Sequence, residues 1–172
     1  MNCLRWTILA VFFATLLAGC QGVVAPMPID ATYDMPAPPV EGEFTTIEDK
    51  CLLPLQAVYE FTGTIEGAAN LDFKILHDGP CVEDMQFGMY DESWIVTGSF
   101  EGAVDGREGT FDLFYIAELK ADHFTGQMVA VPNSGTGELT NLRAIINFDE
   151  MLGDAPPWPV TGYYYFLPMT AP

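Results

Sequence analysis

From residue 50 onward, apolar and polar side chains alternate one by one in short runs, a period that a half-buried strand satisfies and a helix does not. Tyr59, Phe61, Gly63 and Ile65 take one side, and Glu60, Thr62, Thr64 and Glu66 the other. The pattern returns in Leu71 to Ile75, in Met85, Phe87 and Met89, and in Trp94, Val96, Gly98 and Phe100. It appears again in Phe111 to Leu119, Phe124 to Val131, Leu142 to Phe148, and Tyr163 to Leu167, which makes eight candidate strands. Turn signals separate them at Asp78-Gly79-Pro80, Asp105-Gly106 and Asn133-Ser134-Gly135. Helical periodicity of any length is absent. Short strands joined by tight turns predict an all-β domain over residues 50–172, an antiparallel barrel, closed or nearly closed, of about eight strands. Closure removes the edges on which sheets aggregate. Tyr163 to Leu167 carries bulky groups on both faces, which implies a covered outer side or a partner surface.

The first 19 residues read differently. A charge at Arg5, an apolar run from Trp6 to Ala18 and small residues after it form a secretory signal too short to cross a bilayer comfortably. Leu17-Ala18-Gly19-Cys20 resembles the lipobox of bacterial lipoproteins. That resemblance implies cleavage before Cys20, acylation of its thiol, and a domain held at the cell membrane or outer membrane, facing outside the cytoplasm. Two or three acyl chains anchor stably, at about 0.8 kcal/mol per buried methylene. Gln21 at the second mature position resembles the outer-membrane sorting pattern. Residues 20–49 hold five prolines from Pro26 to Pro39 among small and acidic residues. With no sustained period and little apolar surface, they are expected to form a disordered tether.

Removing the signal takes one basic residue of six and none of the 24 acids, so the mature net charge is 5 − 24 = −19. Such a surface repels phosphate backbones and excludes nucleic acid as a partner. Cys51 and Cys81 remain in the domain, and in an oxidising compartment an isolated pair of this kind forms a disulfide. Closing a loop of about 30 residues contributes on the order of 3 to 4 kcal/mol.

Two motifs resemble a known group. Gly102-Ala103-Val104-Asp105-Gly106-Arg107-Glu108-Gly109-Thr110-Phe111, and Asn133-Ser134-Gly135-Thr136-Gly137-Glu138-Leu139 leading to Leu142-Arg143, are similar to turns of a bacterial family of unknown function. That family is allied in fold to the allene oxide cyclase-like barrels, relatives in shape of the lipocalin, or calycin-like, group. Phe61 to Gly67 and Gly162 to Phe166 extend the likeness over most of residues 55 to 167. Asn141 and Ala144 stand where the family tends to have glycine. The plant cyclases act on an apolar oxylipin in the barrel mouth, an activity that kinship of fold alone does not transfer.

Recognisable chemistry is sparse. His77 and His123 are too few and too distant for a zinc set, no calcium loop is present, and Ser134 lies outside any nucleophile elbow. No catalytic residue, metal or cofactor is assigned. The glycine-rich turns lack the following helix and lysine of a phosphate cradle. Arg107 and Arg143 either pair with nearby acids such as Glu108 and Glu138 or hold a ligand carboxylate. The expected role is non-catalytic binding of a small apolar ligand or a protein partner, with Tyr115, Met128, Arg107, Arg143 and Glu118 as candidate contacts. The alternative is a cyclase- or isomerase-type enzyme using Glu66, Glu118 or Glu138 as acid or base in an apolar cavity.

Overall fold

The computed structural model describes residues 24–168, so the signal segment 1–19, Cys20 and Gln21 lie outside the described residues. Ten strands form one sheet: β1 (Met27–Asp34), β2 (Val40–Glu41), β3 (Thr45–Ile47), β4 (Lys50–Gly63), β5 (Ile65–His77), β6 (Glu92–Val104), β7 (Arg107–Lys120), β8 (His123–Ala130), β9 (Leu142–Met151) and β10 (Trp158–Phe166). The only helical element among the described residues is one 3-10 turn, Gly137–Leu139. Eight of the strands run up and down in sequence order, every neighbour antiparallel, and close into a barrel because β1 pairs with both β10 and β4. The all-β closed barrel of eight strands is therefore as the alternation predicts, and its membership differs at two places.

The first difference corrects the tether expected over residues 20–49. Residues 27–34 form a core strand, with Ile29, Ala31 and Tyr33 buried against the interior. Of the prolines that suggested a linker only Pro28 falls in a strand, where the ladder is one-sided and a missing N–H costs nothing, and Pro26, Pro36, Pro38 and Pro39 lie in irregular chain. Pro28 pairs only with Tyr163 of β10, because β4 joins β1 from Ala31 to Asp34. Pro54 of β4 falls in the gap between the short partners β3 and β2, which pair at Leu52 and Leu55. The edge of β4 is thus sealed in turn by β3, β2 and β1, all drawn from the proline-rich segment.

The second difference is the strand expected at Met85, Phe87 and Met89. Residues 78–91 are a loop with Gly88 in the left-handed region (φ +78°). Its apolar groups arise because the loop lies over one end of the barrel, where Phe87 packs edge-on against Trp94 at 5.3 Å. The expected disulfide is present: Cys51 and Cys81 tie the start of β4 to this loop.

Inward side chains fill the barrel. Tyr115, Phe148, Met128, Val96 and Ile146 occupy its middle, and Phe61, Phe100, Phe111, Ile65, Val104 and Leu139 close the end at the β4–β5 and β6–β7 hairpins. Phe100 and Phe111 stack at 4.8 Å there. On β10 the inward set is Val160 and Tyr164, while Tyr163 faces outward. Phe114, Val129, Ile145 and Tyr163 are successive partners across β7 to β10 and form an apolar stripe on the outer wall. At Gly67 and Gly102, which face each other across β5 and β6, a Cβ would lie within 2.3 Å and 2.2 Å of opposing backbone oxygens. Two glycines let the strands bend past one another at this corner.

The two glycine-rich motifs have structural work here. Val104 and Arg107 pair around Asp105-Gly106, both at positive φ, as a two-residue hairpin requires. β8 pairs with β7 only from Leu113 onward, so the first residues of β7 need another partner. The segment Ser134 to Glu138 supplies it with side chains. Asp112 N–H donates to Ser134 Oγ (2.9 Å), Thr110 N–H to Thr136 Oγ1 (3.2 Å), and Glu108 N–H to Glu138 Oε2 (3.2 Å). Alternate residues of one segment thus satisfy alternate amides of the other. Ser134 also donates to Val131 O (2.8 Å). Ser134→Ala is expected to cost about 1 to 2 kcal/mol, read as a lowered urea midpoint with an unchanged slope.

Candidate functional site

The end opposite the closed hairpins is open. Past Asp34, β1 leaves β4, and the chain from Met35 to Phe44 crosses the gap between them. Beneath that crossing lies an apolar hollow of about 190 Å³ walled by Met35, Phe44, Leu53, Ala57, Phe73 and Trp94. A second hollow of about 120 Å³ adjoins it, sharing Met35, Tyr59, Phe87 and Trp94 and reaching Tyr33, Glu150, Asp154 and Trp158. Around the mouth, large apolar groups stand in water: Met35, Phe44, Phe87, Met151 and Leu152 are each about two-fifths exposed or more. A contiguous apolar rim on an acidic protein marks a place built to be covered.

Polar groups inside the mouth are few and converge. Glu150 follows Leu142, Ala144, Ile146 and Phe148 on the inward face of β9, so the register itself aims it into the barrel. Tyr33 donates its hydroxyl to Glu150 Oε2 (3.0 Å), while Oε1 is buried with no partner. Burial pushes the Glu150 carboxyl up to about 7; the Tyr33 hydroxyl opposes this, and the carboxylates of Asp154 and Asp149 add to it. Below lies Tyr115, fully buried, its hydroxyl without a partner. Burial raises the Tyr115 phenol well above its ordinary value, and Tyr59, Tyr33 and Glu150 are near enough to add to the shift. Tyr33 and Tyr59 are raised as well, chiefly by burial. Gly126 makes room for this arrangement, since a Cβ there would meet the Tyr115 ring at 2.6 Å and its hydroxyl at 3.0 Å. The aromatic walls are close: Tyr33 lies 4.6 Å from Tyr59, 5.2 Å from Trp158 and 5.2 Å from Phe148, centroid to centroid.

A second buried group holds the loop over the mouth. Glu92 is 1% exposed and accepts from Gly88 N–H and from the Trp94 indole, both at 2.8 Å. The His77 ring, equally buried, approaches it within 3.3 Å without hydrogen-bond alignment. Burial raises the Glu92 carboxyl, and the two donors and His77 oppose the rise. Together with Cys51–Cys81, Glu92 fixes both ends of the loop that presents Phe87.

The residues singled out from sequence are scattered by the fold. Tyr115 and Met128 are partners in register at the centre of the barrel, and only Tyr115 belongs to the mouth cluster. Glu118 is on the outer wall with Lys120 on its carboxylate at 2.8 Å. Glu66 and Glu138 are also on the outside. Arg107 is exposed at the closed end, 4.2 Å above the Phe166 ring. Arg143 donates to Leu142 O (2.7 Å) and Asn133 Oδ1 (3.1 Å), so it braces a turn rather than pairing with Glu138. Among the described residues no group of three His, Cys, Asp or Glu is placed to hold a metal ion. Glu150, Glu92 and His77 are the functional candidates that the sequence reading passed over. Each extends an inward series by one step, after Phe148, before Trp94 and after Ile75, and that was their signal.

A closed eight-stranded up-and-down barrel with an apolar mouth, the Glu150 carboxyl at its lip and a disulfide-tied loop above, braced by Glu92, defines the class of molecule. The chain belongs to the family described as protein of unknown function (DUF3224), whose model matches residues 43–153. That span leaves out β1 and β10, the strands that complete the ring. The chain is also similar to the crystal structure of a protein with unknown function from the DUF3224 family, from Shewanella oneidensis MR-1. The identity is 16%, the TM-score 0.63, and the match covers 84% of this chain and 100% of that one. At that identity the likeness concerns fold alone. No curated protein matches.

The Glu150 environment predicts a pH dependence. Below the ordinary value of 4.5 the folded and unfolded chains both hold the proton, and the residue contributes nothing. Between 4.5 and about 7 the unfolded chain ionises first, so folding increasingly requires the proton to be retained, and stability falls. Above about 7 the full cost of a charge in the hollow is present. Glu150→Gln is therefore expected to be more stable than the parent at pH 8, with the gain vanishing near pH 4.5. Urea midpoints measured across that range check this.

Proposed function

We propose that the protein is a lipid-anchored binding module outside the cytoplasm that takes a small apolar molecule into the mouth of its barrel without chemically changing it. The carrying observation is the pair of adjoining hollows where β1 and β4 part, roofed by a braced loop and rimmed by exposed apolar side chains. Pockets of this make, mostly apolar with a few converging polar groups, hold small ligands. The resemblance of the glycine-rich turns to a family allied with the allene oxide cyclase-like barrels would, if it holds for the fold, put a ligand at this end. The outer stripe of Phe114, Val129, Ile145 and Tyr163 is what a protein partner would meet, and it lies on the wall rather than at the mouth.

The anchor fits the topology. β1 begins at the closed end, where Met27 pairs with Tyr164, and runs toward the mouth. A lipid on Cys20, separated from β1 by a leash of at most about 25 Å when fully extended, would set the closed end toward the membrane and leave the mouth facing away. The cell membrane and the outer membrane both fit this arrangement.

A cyclase- or isomerase-type enzyme is the second reading, favoured by one observation. Glu150 has a carboxyl near neutrality in an apolar hollow, beside the Tyr33 hydroxyl, as acid–base chemistry on an apolar substrate would need.

Two experiments test the first reading. N-phenyl-1-naphthylamine, a neutral apolar fluorophore, is expected to bind one site with enhanced emission. Ala57→Phe, which fills the larger hollow from its wall, is expected to weaken it at least tenfold with the circular dichroism unchanged. Saturable binding that the filled variant retains would place the probe elsewhere and refute the reading. For the anchor, metabolic labelling with an alkyne fatty acid in a bacterial host is expected to mark the full chain in the membrane fraction. Cys20→Ser should be unlabelled.

A further inference from the structure

We infer that the ligand of the barrel mouth carries a protonated amine on a compact apolar body, with the ammonium seated between Glu150 and the faces of Tyr33 and Trp158. This rests on the binding reading above and names its ligand class.

Charge decides the head group. Neither hollow is lined by a lysine or arginine; the smaller carries Glu150 and Asp154, and the larger carries Glu41 and His77, which lies against Glu92 at 3.3 Å. The basic groups nearest the rim are already engaged: Lys50 with Asp78 (2.9 Å), Lys120 with Glu118 (2.8 Å) and His123 with Asp149 (2.6 Å). Glu150 and Asp154 therefore face the smaller hollow with no cation of the protein's own. A carboxylate or phosphate entering the smaller hollow meets the acids Glu150 and Asp154 and no lysine or arginine, which disfavours a fatty acid. A cation instead supplies the missing counter-charge in a site of low dielectric, where that attraction is strongest.

Hydrogen bonding agrees. Glu150 Oε1 is a buried acceptor with nothing to accept from. The Tyr115 hydroxyl, also buried and without a partner, lies deeper in the barrel and lines neither hollow. Its position depends on the missing side chain of Gly126, so the fold makes room for a hydroxyl that the barrel itself does not use. Buried polar atoms are ordinarily paired, and an orphan acceptor on the wall of the smaller hollow marks where a ligand's N–H belongs. An ammonium has three such donors.

The walls complete the fit. Tyr33, Tyr59, Trp158, Trp94 and Phe87 surround the smaller hollow, and aromatic faces attract ammonium groups when water is excluded. Beyond them the larger hollow offers Leu53, Ala57, Phe73 and Ile75 to an apolar body.

Isothermal titration of the folded protein with three matched indoles tests this. Tryptamine, tryptophol and indole-3-propionate share one body and carry an ammonium, a hydroxyl and a carboxylate. Tryptamine is expected to bind at least tenfold more tightly than tryptophol, and indole-3-propionate most weakly. Glu150→Gln should erase the preference for tryptamine and leave tryptophol within twofold. Equal affinities for tryptamine and tryptophol, or a preference that survives Glu150→Gln, would overturn the amine assignment. If N-phenyl-1-naphthylamine still binds in the mouth in that case, apolar binding stands without it. If neither the fluorophore nor any indole binds, both readings fall.

Discussion

The barrel exists because one short strand hydrogen-bonds on both sides. β1 meets β10 from Met27 to Tyr33 and β4 from Ala31 to Asp34, and without it β10 would be an open edge and β4 would keep only its short partners β2 and β3. Tyr33, the last inward residue of β1, packs on Tyr59 of β4, Phe148 of β9 and Trp158 of β10, joining three walls through one ring.

The seam at β1 also creates the site. β1 accompanies β4 for only four residues before parting from it, and the hollow opens at the parting. The crossing segment can roof that gap only as irregular backbone, and β2 and β3 satisfy just part of it. The mouth therefore takes its shape from residues 35–44 and from the loop that Cys81 and Glu92 hold. Burial under this cover is what raises Glu150, while the interior at the closed end is packed with Phe61, Phe100, Phe111 and Leu139.

Much of this was legible in the sequence, and the failures have physical causes. Period-two burial located seven of the eight barrel strands, the Asp105-Gly106 hairpin and the closed architecture. β1 was missed because proline content outweighed an alternation that was present, Ile29, Ala31 and Tyr33 against Asp30, Thr32 and Asp34. Proline argues against a strand paired on both edges, and Pro28 lies where only one edge is paired. Met85, Phe87 and Met89 misled for the opposite reason: a loop that covers an apolar mouth is apolar without being a strand. The site was less legible than the fold. The glutamates expected to act, Glu66, Glu118 and Glu138, lie on outer faces, and the glycine-rich motifs serve the backbone ladder of β7 at the far end. Glu150 was readable as the next inward member after Phe148, but that it faces a hollow depends on where β1 and β4 diverge, which no local pattern encodes.

Amide hydrogen exchange on the folded protein tests the central claim most directly. If β1 closes the barrel, the amides of Ala31 to Tyr33 exchange as slowly as those at the centre of β6 and β7, through global unfolding. Exchange of that segment at the rate of a free peptide, with β6 and β7 still protected, would mean an open sheet with a loose leader, and would remove the mouth together with the seam.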